Sequence, residues 1–188
     1  LVRCPREGAP PEGLGQEEAE RVRRFHRTLP GYRATPLARL DGLAARLGIR
    51  RLFVKDESPR FGLNAFKVLG GAYAVARVLG ARLGIPEEDL SFQALQDPDV
   101  RARAGSLVFA TATDGNHGRG VGWAARTLGY HDVVFLPRGV APSRVQAIRD
   151  TGAEAILTDL LYDDVVRQCR KIAKDRGWVV VQDTAWAG

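Results

Sequence analysis

The chain has 188 residues, enough for one full domain or a large part of a two-domain protein, and its 45% hydrophobic and 27% charged content is an ordinary globular mixture. No window approaches 18 consecutive apolar residues, and LVRCPREGAPPEGLG at the start lacks the apolar run of a secretory signal, so neither a membrane partner nor secretion is expected. The net charge of +6 sits mostly in residues 1–51, where 11 Arg face 6 acids, and Glu17, Glu18 and Glu20 ahead of Arg21, Arg23, Arg24 and Arg27 suit a helix dipole, so a solvated helix face is preferred to a nucleic-acid-binding arm.

In chain order, the Pro/Gly-rich first fifteen residues are expected to be poorly ordered. A helix is predicted from about Gln16 to Thr28, ending before Pro30-Gly31, and a second through Leu40, Leu43, Ala44 and Leu47, ended by Gly48. Arg51–Lys55 reads as a strand, followed by a polar loop from Asp56 to Gly62. A third helix is predicted to begin near Asn64, a good N-cap residue, and to run to about Leu79 before Gly80. Ile85 to Gly105 is polar with two prolines and reads as a connection containing a short helix.

From Ser106 the rhythm is regular. Strand LVFAT, a helix over 116–128, strand VVFLP (133–137), a helix from Ser143 to Asp150, strand EAILT, a helix from Tyr162 to Asp175 and strand WVVVQ follow one another. Apolar strands alternating with amphipathic helices predict an α/β fold with a parallel open sheet and helices on both faces. The break near 80–105 is the expected domain boundary. Cys4 and Cys169 have no metal-ligand spacing and the three histidines are scattered, so no metal site and a reduced, cytoplasmic setting are expected. A chain with no methionine that stops at Ala187-Gly188 just after a strand is expected to be the front part of a longer protein.

Three stretches could carry chemistry. Lys67, one of four lysines beside 24 arginines, sits among glycines and apolar residues in FGLNAFKVLGG. A cation in the first helical turn is opposed by the helix dipole, which helps lower an amine's pKa toward what attack on a carbonyl needs, whereas a guanidinium stays protonated. The alternative is a lysine whose stem packs and whose ammonium reaches solvent. Thr111–Gly120, TATDGNHGRG, follows a strand's carboxyl end and opens a helix, where ligands bind in open α/β sheets. Its glycines permit close backbone approach and Asn116 can donate to a ligand oxygen, although a capping turn with incidental glycines remains open. The third stretch, VQDTAW (181–186), also lies beyond a strand end, and Asp183 there reads as a base, an ammonium partner or a helix cap. His117 reads as a supporting donor; His26 and His131 read as surface residues.

Together TPL (35–37), LFVKDES (52–58), RFGLNAFKVLGG (60–71), TATDGNHGRG (111–120) and QDTAW (182–186) resemble the diaminopropionate ammonia-lyase family, within the tryptophan synthase β-like, or fold type II, group of pyridoxal phosphate enzymes. Serine and threonine dehydratases of that group carry Ser where Asp114 stands. The resemblance implies that Lys67 forms the Schiff base with pyridoxal 5'-phosphate, that Asn116 hydrogen-bonds its phenolic oxygen, and that Phe66 and Gly115 lie beside it. It places Thr113, Asp114, His117 and Asp183 around a small amino-acid substrate, with Lys67, Asp114 and Asp183 catalytic.

The implied reaction converts 2,3-diaminopropionate and water to pyruvate and two ammonia. Lys67 is assigned the α-proton of the L-isomer, Asp114 that of the D-isomer, and Asp183 the distal amine. The full-length family implies a homodimer. It also implies a division into residues 1–80, part of the large cofactor-binding domain, and 81–188, most of the small one. The family's glycine-rich phosphate loop and pyridine-nitrogen partner come later than Gly188, so weak or absent activity is expected of this length alone. The alternatives are a serine/threonine dehydratase-like lyase and a non-catalytic fragment that needs a partner chain.

Overall fold

In the computed structural model, residues 15–183 are described; Cys4, most of the Pro/Gly-rich start and Thr184–Trp186 lie outside them. The first helix, α1 (Gln16–Thr28), has acids in its first turn and bases in its last, as its dipole favours, and buries Phe25 and His26. His26, expected at the surface, is 8% exposed, because the helix turns it onto the core beside Tyr32 and Tyr73. Next, β1 (Leu37–Arg39) and β2 (Phe53–Lys55) pair antiparallel around the short α2 (Asp41–Arg46), forming an exposed ribbon outside the main sheet.

The third helix, α3 (Lys67–Leu83), begins at Lys67 rather than near Asn64. Asn64 is left-handed (φ 52°), as is Phe61 (φ 48°), so the chain is still turning where a helix was predicted. At the other end α3 continues through Gly80 to Gly84, whose φ of 69° closes it. Gly80 is retained inside the helix by packing, since a Cβ there would stand 2.7 Å from the Leu90 side chain.

The connection carries two short helices, α4 (Phe92–Gln96) and α5 (Pro98–Ala104), capped by the side chains of Ser91 and Asp97. Four strands then form a parallel sheet in the order β5-β4-β3-β6: β3 (Val108–Ala112), β4 (His131–Leu136), β5 (Glu154–Leu157) and β6 (Val179–Val180). Their crossovers are α6 (Asn116–Thr127), α7 (Pro142–Arg149) and α8 (Tyr162–Arg176).

Alternation along the strands sorts the core. Phe109, Val134 and Leu136 face the side of α6, α3 and α7; Ala110, Ala112, Val133 and Phe135 face Val165, Cys169 and Ala173 of α8. Helices thus cover both faces, as the strand–helix rhythm predicts. Among the described residues, no helix is long and apolar enough to cross a membrane.

The contact that matters most for the site is α3 against α6. A Cβ at Gly120 would lie 2.8 Å from the Val68 Cα and 3.1 Å from the Lys67 carbonyl carbon, and one at Gly71 would lie 3.2 Å from the Gly120 carbonyl carbon. Backbone meets backbone there, which only glycine allows.

Candidate active site

The site grows from the carboxyl ends of β3 and β6. As β3 ends, Thr113 stays in register by donating its N–H to the Phe135 carbonyl at 3.0 Å, and its Oγ1 accepts the Gly115 N–H at 3.1 Å. That turn delivers Asp114 and Asn116 to the surface while burying Thr113, Gly115 and His117. The glycines of this stretch serve packing more than ligand access. A Cβ at Gly118 would lie 2.4 Å from the Thr113 side chain, whereas at Gly115 its nearest neighbour is Arg144 at 3.9 Å.

Beyond β6, the Gln182 amide extends the sheet with a side chain in place of a strand residue. Its Oε1 accepts the Ala112 N–H at 3.0 Å and its Nε2 donates to the Ala112 carbonyl at 2.8 Å. It also contacts the Tyr162 hydroxyl at 3.2 Å. Thus anchored, the chain presents Asp183 to the first residue of α3. The Lys67 ammonium donates to Asp183 Oδ2 at 2.7 Å, and His117 Nδ1 stands 3.7 Å from the same oxygen. His117 Nε2 lies 3.0 Å from the Val181 carbonyl. A carbonyl only accepts, so this nitrogen carries a proton.

The electrostatics follow. Burial alone would raise the Asp183 pKa, but the Lys67 hydrogen bond and the charges of His117 and Lys67 outweigh it and hold the carboxyl below its ordinary value. The Tyr162 phenol is pushed up, by burial first and then by the negative charges of Asp183 and Asp114. Lys67, expected to stand as a misplaced cation at a helix start, instead has a carboxylate partner supplied from 116 residues away.

Lys67 lines two hollows. One, of about 350 Å³, is polar and bordered by Asp114, Gly115, Asn116, Arg119, Ser143 and Arg144. The other, of about 610 Å³, runs along α3 past Phe66, Leu69 and Gly71 to His117 and Asp183. The structure therefore gathers Lys67, His117 and Asp183 into one cluster, and sets Asp114, Gly115 and Asn116 around the polar hollow. Phe66 is 63% exposed at the rim of the apolar one, and Thr113 is buried behind the turn. Asp114 does not join the cluster; its carbonyl accepts from Arg144 Nη1 at 3.4 Å.

Residue reading missed Gln182, Tyr162, Arg119 and Arg144 as parts of this region. Gln182 stood in a singled-out motif, but its pairing with Ala112 depends on strands 70 residues apart. Arg119 likewise stood inside the singled-out TATDGNHGRG stretch without being given a role, and nothing in the local pattern marks Tyr162 or Arg144.

A family model described as pyridoxal-phosphate dependent enzyme matches residues 28–187. The diaminopropionate ammonia-lyase of Escherichia coli (strain K12) is 52% identical over 175 residues, which is 93% of this chain and 43% of that protein. An L-threonine ammonia-lyase of Geobacter sulfurreducens is 29% identical over 91% of this chain and 35% of its own length. The crystal structure of the Escherichia coli diaminopropionate ammonia lyase in apo form superimposes with a TM-score of 0.89 at 50% identity, covering 96% of this chain and 48% of that one. The fold is that of the tryptophan synthase β-like, fold type II, enzymes. The chain spans less than half the length of these relatives.

Proposed function

The chain belongs to the pyridoxal-phosphate dependent enzyme family, and we propose that it is the amino-terminal part of a lyase converting 2,3-diaminopropionate and water to pyruvate and two ammonia. The observation that carries this reading is the convergence of Lys67 and Asp183, 2.7 Å apart, where two hollows meet. The higher identity to the diaminopropionate enzyme than to the threonine enzyme, with Asp114 in the turn, favours the diamine over a hydroxy amino acid.

The residues suit pyridoxal 5'-phosphate: a lysine that lines both hollows, an exposed Asn116 in one of them and an exposed Phe66 ring at the rim of the other. Lys67 would anchor the cofactor, Asn116 would donate to its ring oxygen, and Phe66 and Gly115 would flank it. When bound, the cofactor supplies an electron sink for charge developing at the substrate α-carbon.

The chain's own groups do the rest. Lys67 Nζ takes the α-proton of the L-isomer and the Asp114 carboxylate that of the D-isomer, because the two protons lie on opposite sides of the same carbon. Asp183, ionised at neutral pH, accepts a charge-assisted hydrogen bond from the distal ammonium that leaves as ammonia. His117, fixed by Val181, keeps Asp183 aimed. Thr113 holds the turn that carries Asp114.

Residues 1–80 belong, in this reading, to a large cofactor-binding domain and 81–188 to most of a small one, in a cytoplasmic homodimer. For these 188 residues alone little or no turnover is expected. The test is addition of pyridoxal 5'-phosphate, borohydride reduction and peptide mass spectrometry. Covalent capture at Lys67 that is lost in Lys67→Ala supports the reading; identical cofactor uptake by both removes it. In a full-length enzyme, Asp114→Asn should depress turnover of the D-isomer more than the L-isomer, and equal losses would sink the two-base assignment.

A further inference from the structure

Arg60 lies seven residues before Lys67 and is only 5% exposed, an unusual place for a guanidinium. Each of its three nitrogens donates a hydrogen bond. Nε donates to Glu57 Oε2 at 2.8 Å and Nη2 to Glu57 Oε1 at 3.1 Å, a two-pronged pair. Nη1 donates to the Arg33 carbonyl at 2.8 Å and Nη2 to Thr35 Oγ1 at 3.2 Å, while the guanidinium stands 5.3 Å from the Tyr32 ring centroid. Thr35 Oγ1 also hydrogen-bonds Glu57, and Lys55 Nζ reaches Thr35. With Arg60 as its main partner, Glu57 is held down to a pKa of about 2, so the cluster stays charged throughout the neutral range.

The segment leaving this cluster is strained. Phe61 (φ 48°) and Asn64 (φ 52°) are both left-handed, a conformation that a phenylalanine keeps only when the surroundings over-determine it. The surroundings here are Arg60 on one side and Trp123 of α6 on the other, whose ring centroid is 4.5 Å from that of Phe61. Leu63 and Ala65 are buried, and then Lys67 opens α3 with no side-chain cap. The turn bordered by this cluster thus leads directly into the first residue of α3.

We propose that Glu57 and Arg60, with Thr35 and the Phe61–Trp123 contact, are positioning residues for Lys67: they hold the strained turn that delivers its amine between the two hollows. This rests on the reading of Lys67 as the residue that captures the cofactor aldehyde. The cluster touches neither hollow's reacting groups and acts only through the turn.

Lys171 and Lys174, exposed on α8, serve as internal references. The chain is treated with pyridoxal 5'-phosphate and borohydride, and the ratio of label on Lys67 to label on these two is read by peptide mass spectrometry, beside thermal melting. In the wild type Lys67 is preferred; if it is not, the reading of Lys67 itself fails. In Arg60→Lys, which keeps the charge but loses the planar fork, and in Glu57→Gln, the ratio falls about tenfold or more while Lys171 and Lys174 label as before. Variants that melt earlier yet keep the wild-type ratio would show a purely structural cluster and overturn the proposal. Should either lose its near-ultraviolet circular dichroism, Thr35→Val and Phe61→Leu, which each remove one strut, decide the matter by the same ratio.

Discussion

Lys67 and Asp183 stand 116 residues apart in the chain, yet their Nζ and Oδ2 atoms meet at 2.7 Å. Neither partner is deeply buried, with side chains 44% and 30% exposed, so water screens the attraction. The pair is therefore a weak clasp for the fold and a strong constraint on where the amine points.

Asp183→Asn is accordingly expected to cost less than about 1 kcal/mol of stability near neutral pH, measured by urea denaturation. The Asp183 carboxyl is held below its ordinary 3.8, so what it contributes is present above that value and lost as pH falls through the lowered one. The same variant should change capture of pyridoxal 5'-phosphate at Lys67. A large stability loss with unchanged capture would contradict this division of roles.

Gly120→Ala should be costly, because its Cβ would stand 2.8 Å from the Val68 Cα and backbone cannot swing aside as a side chain can. A loss of roughly 1–3 kcal/mol in urea titration is expected. Gly42→Ala, at a helical position where no atom of the described residues lies within 4 Å of the added carbon, is the control and should be neutral or stabilising.

Asp132 gives a pH dependence in the alkaline direction. Burial drives its pKa up to about 8, opposed by the backbone N–H of Val133, and among the described residues neither carboxyl oxygen has a well-formed hydrogen bond. The folded chain thus holds a proton that the unfolded chain releases near 3.8. Its contribution to stability is greatest below that value, declines as pH rises, and levels off above about 8. Asp132→Asn should flatten this slope and stabilise the protein by on the order of 2 kcal/mol near pH 8. Parallel slopes for variant and wild type would refute it.

His26 acts in the opposite sense. Burial, aided by the charge of Arg60 and opposed by the Leu69 carbonyl at 2.8 Å, lowers its pKa below 6.5. The unfolded chain binds this proton more readily, so stability is lost as pH falls from 6.5 through the folded value. His26→Gln should remove that acid limb while leaving the alkaline decline intact, as urea midpoints across the acid range will show.

The sheet and its crossover helices were legible because they repeat one local rule: an apolar run, a turn, an amphipathic helix. The turn at 113–117 and the lysine were legible as motifs. What escaped is tertiary. The start of α3 shifted from Asn64 to Lys67 because Phe61, Gly62 and Asn64 make a left-handed turn; Asn and Gly allow it, but Phe61, packed on Trp123, is one no local propensity announces. His26 was misread because a polar residue beside Phe25 on a largely charged helix faces in or out according to what packs there. The glycines of the turn suggested room for a ligand, and most of that room is filled by Thr113, Val134 and Val68.

The backbone interlock of Gly71 and Gly120 has a mechanical consequence. With no side chains between them, α3 and α6 cannot slide without one main chain entering the other. Lys67 and Asn116 thus open two helices that are braced main chain to main chain, and a ring held between them would rest on that shared brace.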